Sequence, residues 1–243
     1  MSAIGTIARR ELRAYFATPV AFVFIVIFLA LSGWFTFYLG GFYERGQADL
    51  QPFFTFHSWL YLFLVPAISM RLWAEERKSG SIELLMTLPV STWDAVLGKF
   101  LAAWLFTAVA LALTFPIWIT VNYLGDPDNG VIVTAYLGSL LMAGAFLAIG
   151  SCISAANRNQ VVAFIITVVI CFLFLLSGFP LVLDFFAGAP QALVDTIAGL
   201  SFLTHYNALS KGVIDLRDVV YFLLVITAWL FATSIVLEMK KAD

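Results

Sequence analysis

Six apolar runs, each about as long as a bilayer's hydrocarbon core is thick, divide this 243-residue chain, and none of them contains Asp, Glu, Lys or Arg. They fall near residues 19–40, 52–70, 100–124, 131–154, 161–182 and 219–237. A helix needs roughly 20 apolar residues to cross the hydrocarbon, where no water satisfies a backbone amide, so helices are the expected solution for every run. Composition agrees: hydrophobic residues make up 62% and charged residues 12%, against roughly a quarter charged in soluble domains. The mean hydropathy is +0.98. The expected fold class is an all-α integral membrane protein with six transmembrane helices, forming a single membrane domain over residues 1–243.

Several function classes drop out early. The net charge of -2 comes with no clustered basic face, which excludes a nucleic-acid partner and leaves the lipid bilayer as the first one. Cys152 and Cys171 both lie in apolar runs, where they read as small buried helix residues. Two cysteines and two separated histidines make no metal-ligand spacing, so no metal site is expected.

Placing the N-terminus in the cytoplasm puts Arg9, Arg10, Arg13, Arg71, Arg77, Lys78, Lys99, Arg158, Lys240 and Lys241 inside and only Arg45, Lys211 and Arg217 outside. That is the asymmetry the positive-inside rule requires, and it puts both termini in the cytoplasm. Ala30-Leu31-Ser32 faintly resembles a signal-peptide cleavage site. The run continues through Trp34, Phe35 and Phe37, however, so the first span is expected to be retained. Ahead of it, over residues 1–18, Ile4, Ile7, Ala8, Leu12, Tyr15 and Phe16 recur at helical spacing while Arg9, Arg10 and Arg13 gather on another face. Such a helix can lie in the headgroup plane; an ordinary charged flank of the first span is the alternative.

One polar segment, residues 71–99, carries most of the functional information. Ser79-Gly80-Ser81 can end one helix and start another, Gly80 by adopting a left-handed conformation and Ser81 as a cap. Glu83 would then sit in a first turn, where the helix dipole favours a negative charge. Pro89 limits the new helix to about two turns by biasing Leu88 out of helical geometry. Ser91 and Asp94 have capping-box spacing for the helix that follows. Ile82, Leu85 and Met86 share one face of the insert, and Leu84 and Leu88 another. A short helix apolar on two sides can return one side to the bundle or the bilayer surface, which leaves the other for a partner.

Glu76-Arg77, then Gly80-Ser81-Ile82-Glu83-Leu84-Leu85, Leu88-Pro89-Val90 and Gly98-Lys99 together resemble the signature of type-2 ABC transporter permeases. The family pattern has Gly-Thr where this chain has Gly80-Ser81, a change that keeps a hydroxyl. The resemblance implies that Ser81–Leu88 is a cytoplasmic coupling helix between spans 2 and 3, seated in a groove of a separate ATPase present in two copies. Ile82, Leu85 and Met86 would give the apolar seat, with Glu76, Arg77 and Glu83 as charges at its rim. It implies a second permease copy or a paralogue, a bacterial inner membrane, and ATP and magnesium held by the partner, with no cofactor in this chain. Lys211–Asp218 followed by Tyr221-Phe222 resembles the gliding-motility (GldF-like) subgroup, which would add an accessory subunit of the GldG-like type.

Rival readings fare less well. Gly98-Lys99 superficially looks like the end of a phosphate-binding loop, but Trp93 stands where its first glycine belongs and Phe100 where a Ser or Thr is required. An intramembrane protease would need a nucleophile with an orienting partner. Ser139 and Ser151 follow glycines, while His57 and His205 are expected near the outer surface, His57 as an aromatic-belt residue beside Trp59 and Tyr61. Arg71 reads as an inner-side anchor. A secondary transporter would place ionisable groups at membrane depth, and the runs hold none securely. The remaining rival is a mechanotransmitter, in which ATP turnover drives a periplasmic partner and nothing crosses the bilayer. Gly144, Ala148, Ser151 and Cys152, with Ala143 and Ala155, form a small-residue stripe that marks a helix contact within the subunit or across a dimer. The outer segment, 184–218, holds the breakers Gly188, Pro190, Gly199 and Gly212 among persisting apolar residues, the pattern of short outer helices between spans 5 and 6.

Overall fold

The computed structural model describes residues 2–82, 90–186 and 190–240, and all regular structure among them is helical. Helix α1 (Ala3–Phe16) is capped by the Ser2 hydroxyl, which accepts from the Gly5 amide. Pro19 opens α2 (Pro19–Trp34), whose end widens into a π-turn at Phe35–Leu39. The second run forms α3 (Gln51–Ser69), which continues through the helical Met70 into α4 (Arg71–Ser79). The third is α5 (Thr92–Ala112) followed by α6 (Phe115–Leu124), broken at Leu113 and Thr114 just before Pro116. Pro116 lacks the amide that an unbroken helix would use there.

At the centre lies α7 (Asn129–Ala156), the most buried long helix, with Asp128 capping its start through the amides of Gly130 and Val131. It packs against α3, against α5 and most extensively against α12 (Leu216–Met239). Close approach explains its small residues. A Cβ on Gly150 would lie 1.9 Å from the Ser69 hydroxyl of α3, and one on Gly144 would meet Trp104 of α5 and Ile226 of α12 at 3.0 Å. The stripe is therefore an internal seam of the subunit, where backbones meet closely enough for dispersion to hold the helices together.

Among the described residues, five helical segments are long and apolar enough to cross a membrane: Pro19–Leu39, Gln51–Ser79, Thr92–Leu124, Asn129–Ala156 and Leu216–Met239. The fifth expected run differs. Helix α8 (Gln160–Leu176) stops at 17 residues, because Ser177 and Gly178 turn the chain ahead of Pro180. The Gly178 Cβ position lies 2.4 Å from the Ser201 hydroxyl, so a neighbouring helix start occupies the space a continuing helix would need. That neighbour belongs to the outer segment, where α9 (Pro180–Phe185), α10 (Gln191–Gly199) and α11 (Phe202–Ser210) replace a loop. Phe202, Tyr206 and Leu209 of α11 are buried, Leu209 against Gly138 of α7.

Candidate functional site

The polar segment 71–99 is built from the end of α4, the turn at Gly80 and the start of α5. Gly80 terminates α4 with a left-handed φ of 75°, and helical geometry resumes at Ser81 and Ile82. The Ser79 and Ser81 hydroxyls are 2.9 Å apart across the turn, and Ile82 packs half-buried against the core. Glu83, Leu84, Leu85, Met86, Leu88 and Pro89 lie outside the described residues. At the far side the Ser91 hydroxyl accepts from the Asp94 amide at 3.1 Å and opens α5. That is eight residues before the apolar run itself begins.

Between these ends sits a charged joint. Lys99, one turn into α5 beyond Ala95, is only 3% exposed, and its ammonium lies 2.7 Å from the Glu76 carboxylate of α4 and 3.5 Å from Glu11 of α1. The same ammonium stands 5.1 Å from the centre of the Trp73 ring. One buried cation thus joins three helices, its charge matched by two carboxylates and an aromatic face. Arg77, next along α4, donates to the Ala155 carbonyl at the end of α7. The Trp73 indole donates to Ser151 at 3.0 Å, and the Ser154 hydroxyl accepts from the amides of Trp73 and Ala74 while donating to the Met70 carbonyl. Arg71 holds Glu75 at 3.1 Å along the exposed edge of α4.

Glu76 and Arg77 are therefore engaged inside the chain. Sequence reasoning expects both at the rim of an external interface; Lys99, Glu11 and Ala155 converging on α4 give them internal partners that it could not see. The signal that would have found them is the charge of Lys99 itself, placed one residue before a 25-residue apolar run. Helix α1 belongs to the same construction. Ile7 is buried where Gly98 leaves room for it, and Tyr15 stacks on Phe106 of α5 with ring centres 5.2 Å apart. Arg9, Arg10 and Arg13 stay exposed on the opposite side.

The family comparison now bears on this geometry. The model of the ABC-2 family transporter proteins matches residues 6–240, which takes in α1, the joint and every span. The chain belongs to the ABC-2 transporter family. A curated relative, heme exporter protein B from Paracoccus denitrificans (strain Pd 1222), is 35% identical over 92 residues, covering 36% of this chain and 42% of that protein. The match thus spans less than half the length of that relative.

One further polar group of this ABC-2 protein corrects the sequence reading, and a second, in the outer segment, adds to it. His57 does not lie in an aromatic belt. It is fully buried among Phe28, Phe53, Phe54 and Tyr61, with Nδ1 2.9 Å from the Ser139 hydroxyl of α7. Ser139 also lies 2.8 Å from the Tyr61 hydroxyl, and Tyr206 of α11 donates to the Phe54 carbonyl. Hydropathy could not place a histidine whose three-residue neighbourhood is aromatic, since such a window fits both a membrane interface and a packed bundle. His205 is buried too, its Nδ1 2.6 Å from Asp218 and its Nε2 2.9 Å from the Gly199 carbonyl, stacked on Tyr221. This contact ties α10 and α11 to the first turn of α12.

Proposed function

We propose that this chain is the permease subunit of an ATP-binding cassette exporter in a bacterial inner membrane, with both termini cytoplasmic and ATP hydrolysed by two copies of a separate polypeptide. A second permease copy or a paralogue completes the pair. The run of residues 161–182, most of it in α8, makes a further crossing and brings the total to six. The observation that carries this reading is the Lys99 joint: the segment that resembles a coupling helix is bonded at its root to α1, α4 and α5. Because α3 passes into α4 through helical Met70, a displacement at residues 80–91 reaches spans 2 and 3 and the N-terminal helix together.

In this account Gly80 and Ser81 form the pivot. Ile82, Leu85 and Met86 provide the apolar seat, Leu84, Leu88 and Pro89 complete the coupling segment, and Glu83 stands at its first turn. Apolar burial should dominate affinity, at ~1.5–3 kcal/mol for each large side chain fully buried, against ~0–1 kcal/mol for an exposed charge pair. Glu76 and Arg77, charges at the rim of the seat, also act as internal braces that stiffen the lever. Spans without charged residues suit an apolar or amphipathic cargo, the class to which the relative's named cargo belongs. The likeness of Lys211–Asp218 to the gliding-motility subgroup supports the mechanotransmitter alternative, which would need a GldG-like accessory subunit on the outer side.

Affinity purification of the full-length chain in mild detergent, followed by an ATPase assay, tests the proposal. ATP hydrolysis carried by a second, co-purifying polypeptide is expected. Activity in the isolated chain, or no co-purifying ATPase from native membranes, contradicts it.

A further inference from the structure

Beside the joint, α1 and α5 diverge around an open apolar cleft of about 600 Å³ that reaches α7. Gly5, Ala8 and Leu12 line it from α1, Leu105 and Ala108 from α5, and Leu140 from α7. The small Gly5 and Ala8 create the space. The indole nitrogen of Trp104 is turned away to the Leu140 carbonyl at 2.9 Å, so this ring adds apolar surface to the lining. Leu101 and Leu105 are exposed at the side, where the cleft opens towards lipid.

Its chemistry is lopsided. Arg9 stands at the α1 edge, and Arg13 follows one turn later on the same edge of the helix. Arg10 is bound to Glu11 at 2.6 Å, whereas Arg9 and Arg13 have no ion pair among the described residues. Leu140, deep in the cleft, is 16 residues from the end of α7 at Ala156, about 24 Å along the helix at 1.5 Å per residue. The cleft therefore runs from Arg9, with Arg13 one turn beyond it on α1, to an apolar floor that includes Leu140 of α7. We propose that it holds the acyl chain of one anionic phospholipid whose phosphate sits against Arg9 and Arg13. Charge complementarity selects this occupant. A zwitterionic lipid would bring a phosphate already offset by its own choline cation, and an apolar helix from a second copy would bring no counter-charge at all.

Native mass spectrometry of the full-length chain, titrated in detergent with dioleoyl phosphatidylglycerol and separately with dioleoyl phosphatidylcholine, tests this. The expected result is one tightly retained phosphatidylglycerol per chain, in preference to phosphatidylcholine. Arg9→Gln and Arg13→Gln should each reduce that preference about fivefold, and Arg9→Lys should keep it. Ala108→Phe, which fills the cleft and leaves both arginines in place, should abolish retention of either lipid. Since Arg9 and Arg13 are exposed, their variants remain informative should Ala108→Phe fail to fold. Equal retention of the two lipids by the wild-type chain, or phosphatidylglycerol retention unchanged in both Gln variants, overturns the proposal. So does efficient disulfide formation between two copies of Leu105→Cys in native membranes, which would make a second chain the occupant.

Discussion

Lys99 concentrates the energetics of the α4–α5 end in one atom. Its ammonium is buried between Glu76 Oε1 and Glu11, and Glu76 Oε2 has no hydrogen-bond partner among the described residues. Removing the cation alone strands the Glu76 carboxylate in a poorly solvated position and leaves Glu11 with Arg10 as its cation. Lys99→Met is expected to destabilise the chain by about 3 kcal/mol, on the order of 6–12 °C in melting midpoint for a chain of this size. Adding Glu11→Gln and Glu76→Gln should recover part of that loss. A Lys99→Met midpoint equal to wild type would show that the joint bears no load. His57 should behave in the opposite way. Its Nε2 has no hydrogen-bond partner among the described residues, and Ser139 retains Tyr61 when the imidazole is lost. His57→Phe should therefore shift stability by no more than about 1 kcal/mol, read in the same melting experiment. The two residues also mark what sequence could and could not show. Gly80, Ser91 and Asp94 were legible because capping chemistry is local. The partners of Lys99 and His57 come from helices that only the tertiary fold brings together.

At the scale of elements, α7 is the spine and its glycines are the contact points. Gly150→Leu should prevent α3 and α7 from seating and sharply lower the yield of monodisperse protein on size-exclusion chromatography. A Cβ there would have to occupy the position of the Ser69 hydroxyl. Gly33→Leu in α2 should be tolerated, since nothing lies within 4 Å of its Cβ position. Similar yields for the two variants would contradict the packing described. The helices themselves could be read from hydrophobic length, with their starts fixed by Ser2, Ser91, Asp128 and Asn159. The end of α8 was less legible. Residues 161–182 form a continuous apolar run, and the run is divided by the Ser177-Gly178 turn and by Ser201 packing against it, a contact from elsewhere in the chain.

For the whole molecule, the account divides the chain into an inner end, with the Lys99 joint and the α7–α8 turn, and an outer end, where α9, α10 and α11 close over the bundle. Lys78→Cys and Arg45→Cys should then react with a membrane-impermeant maleimide from opposite sides, Arg45→Cys in intact cells and Lys78→Cys only after lysis. Cys152 and Cys171 are buried and should contribute little background. Labelling of both positions in intact cells would reverse or break the topology. The central claim is that energy from a separate ATPase enters through the apolar seat beyond Gly80, and Leu85→Asp tests it most directly. Losing one buried leucine at ~1.5–3 kcal/mol weakens binding about tenfold or more, and a buried aspartate adds to that. The decisive measurement is quantitative co-purification of the ATPase with wild-type and Leu85→Asp chains expressed and inserted at equal levels. The account predicts loss of the ATPase from the variant with membrane insertion intact, and equal recovery of the ATPase with both chains would contradict it.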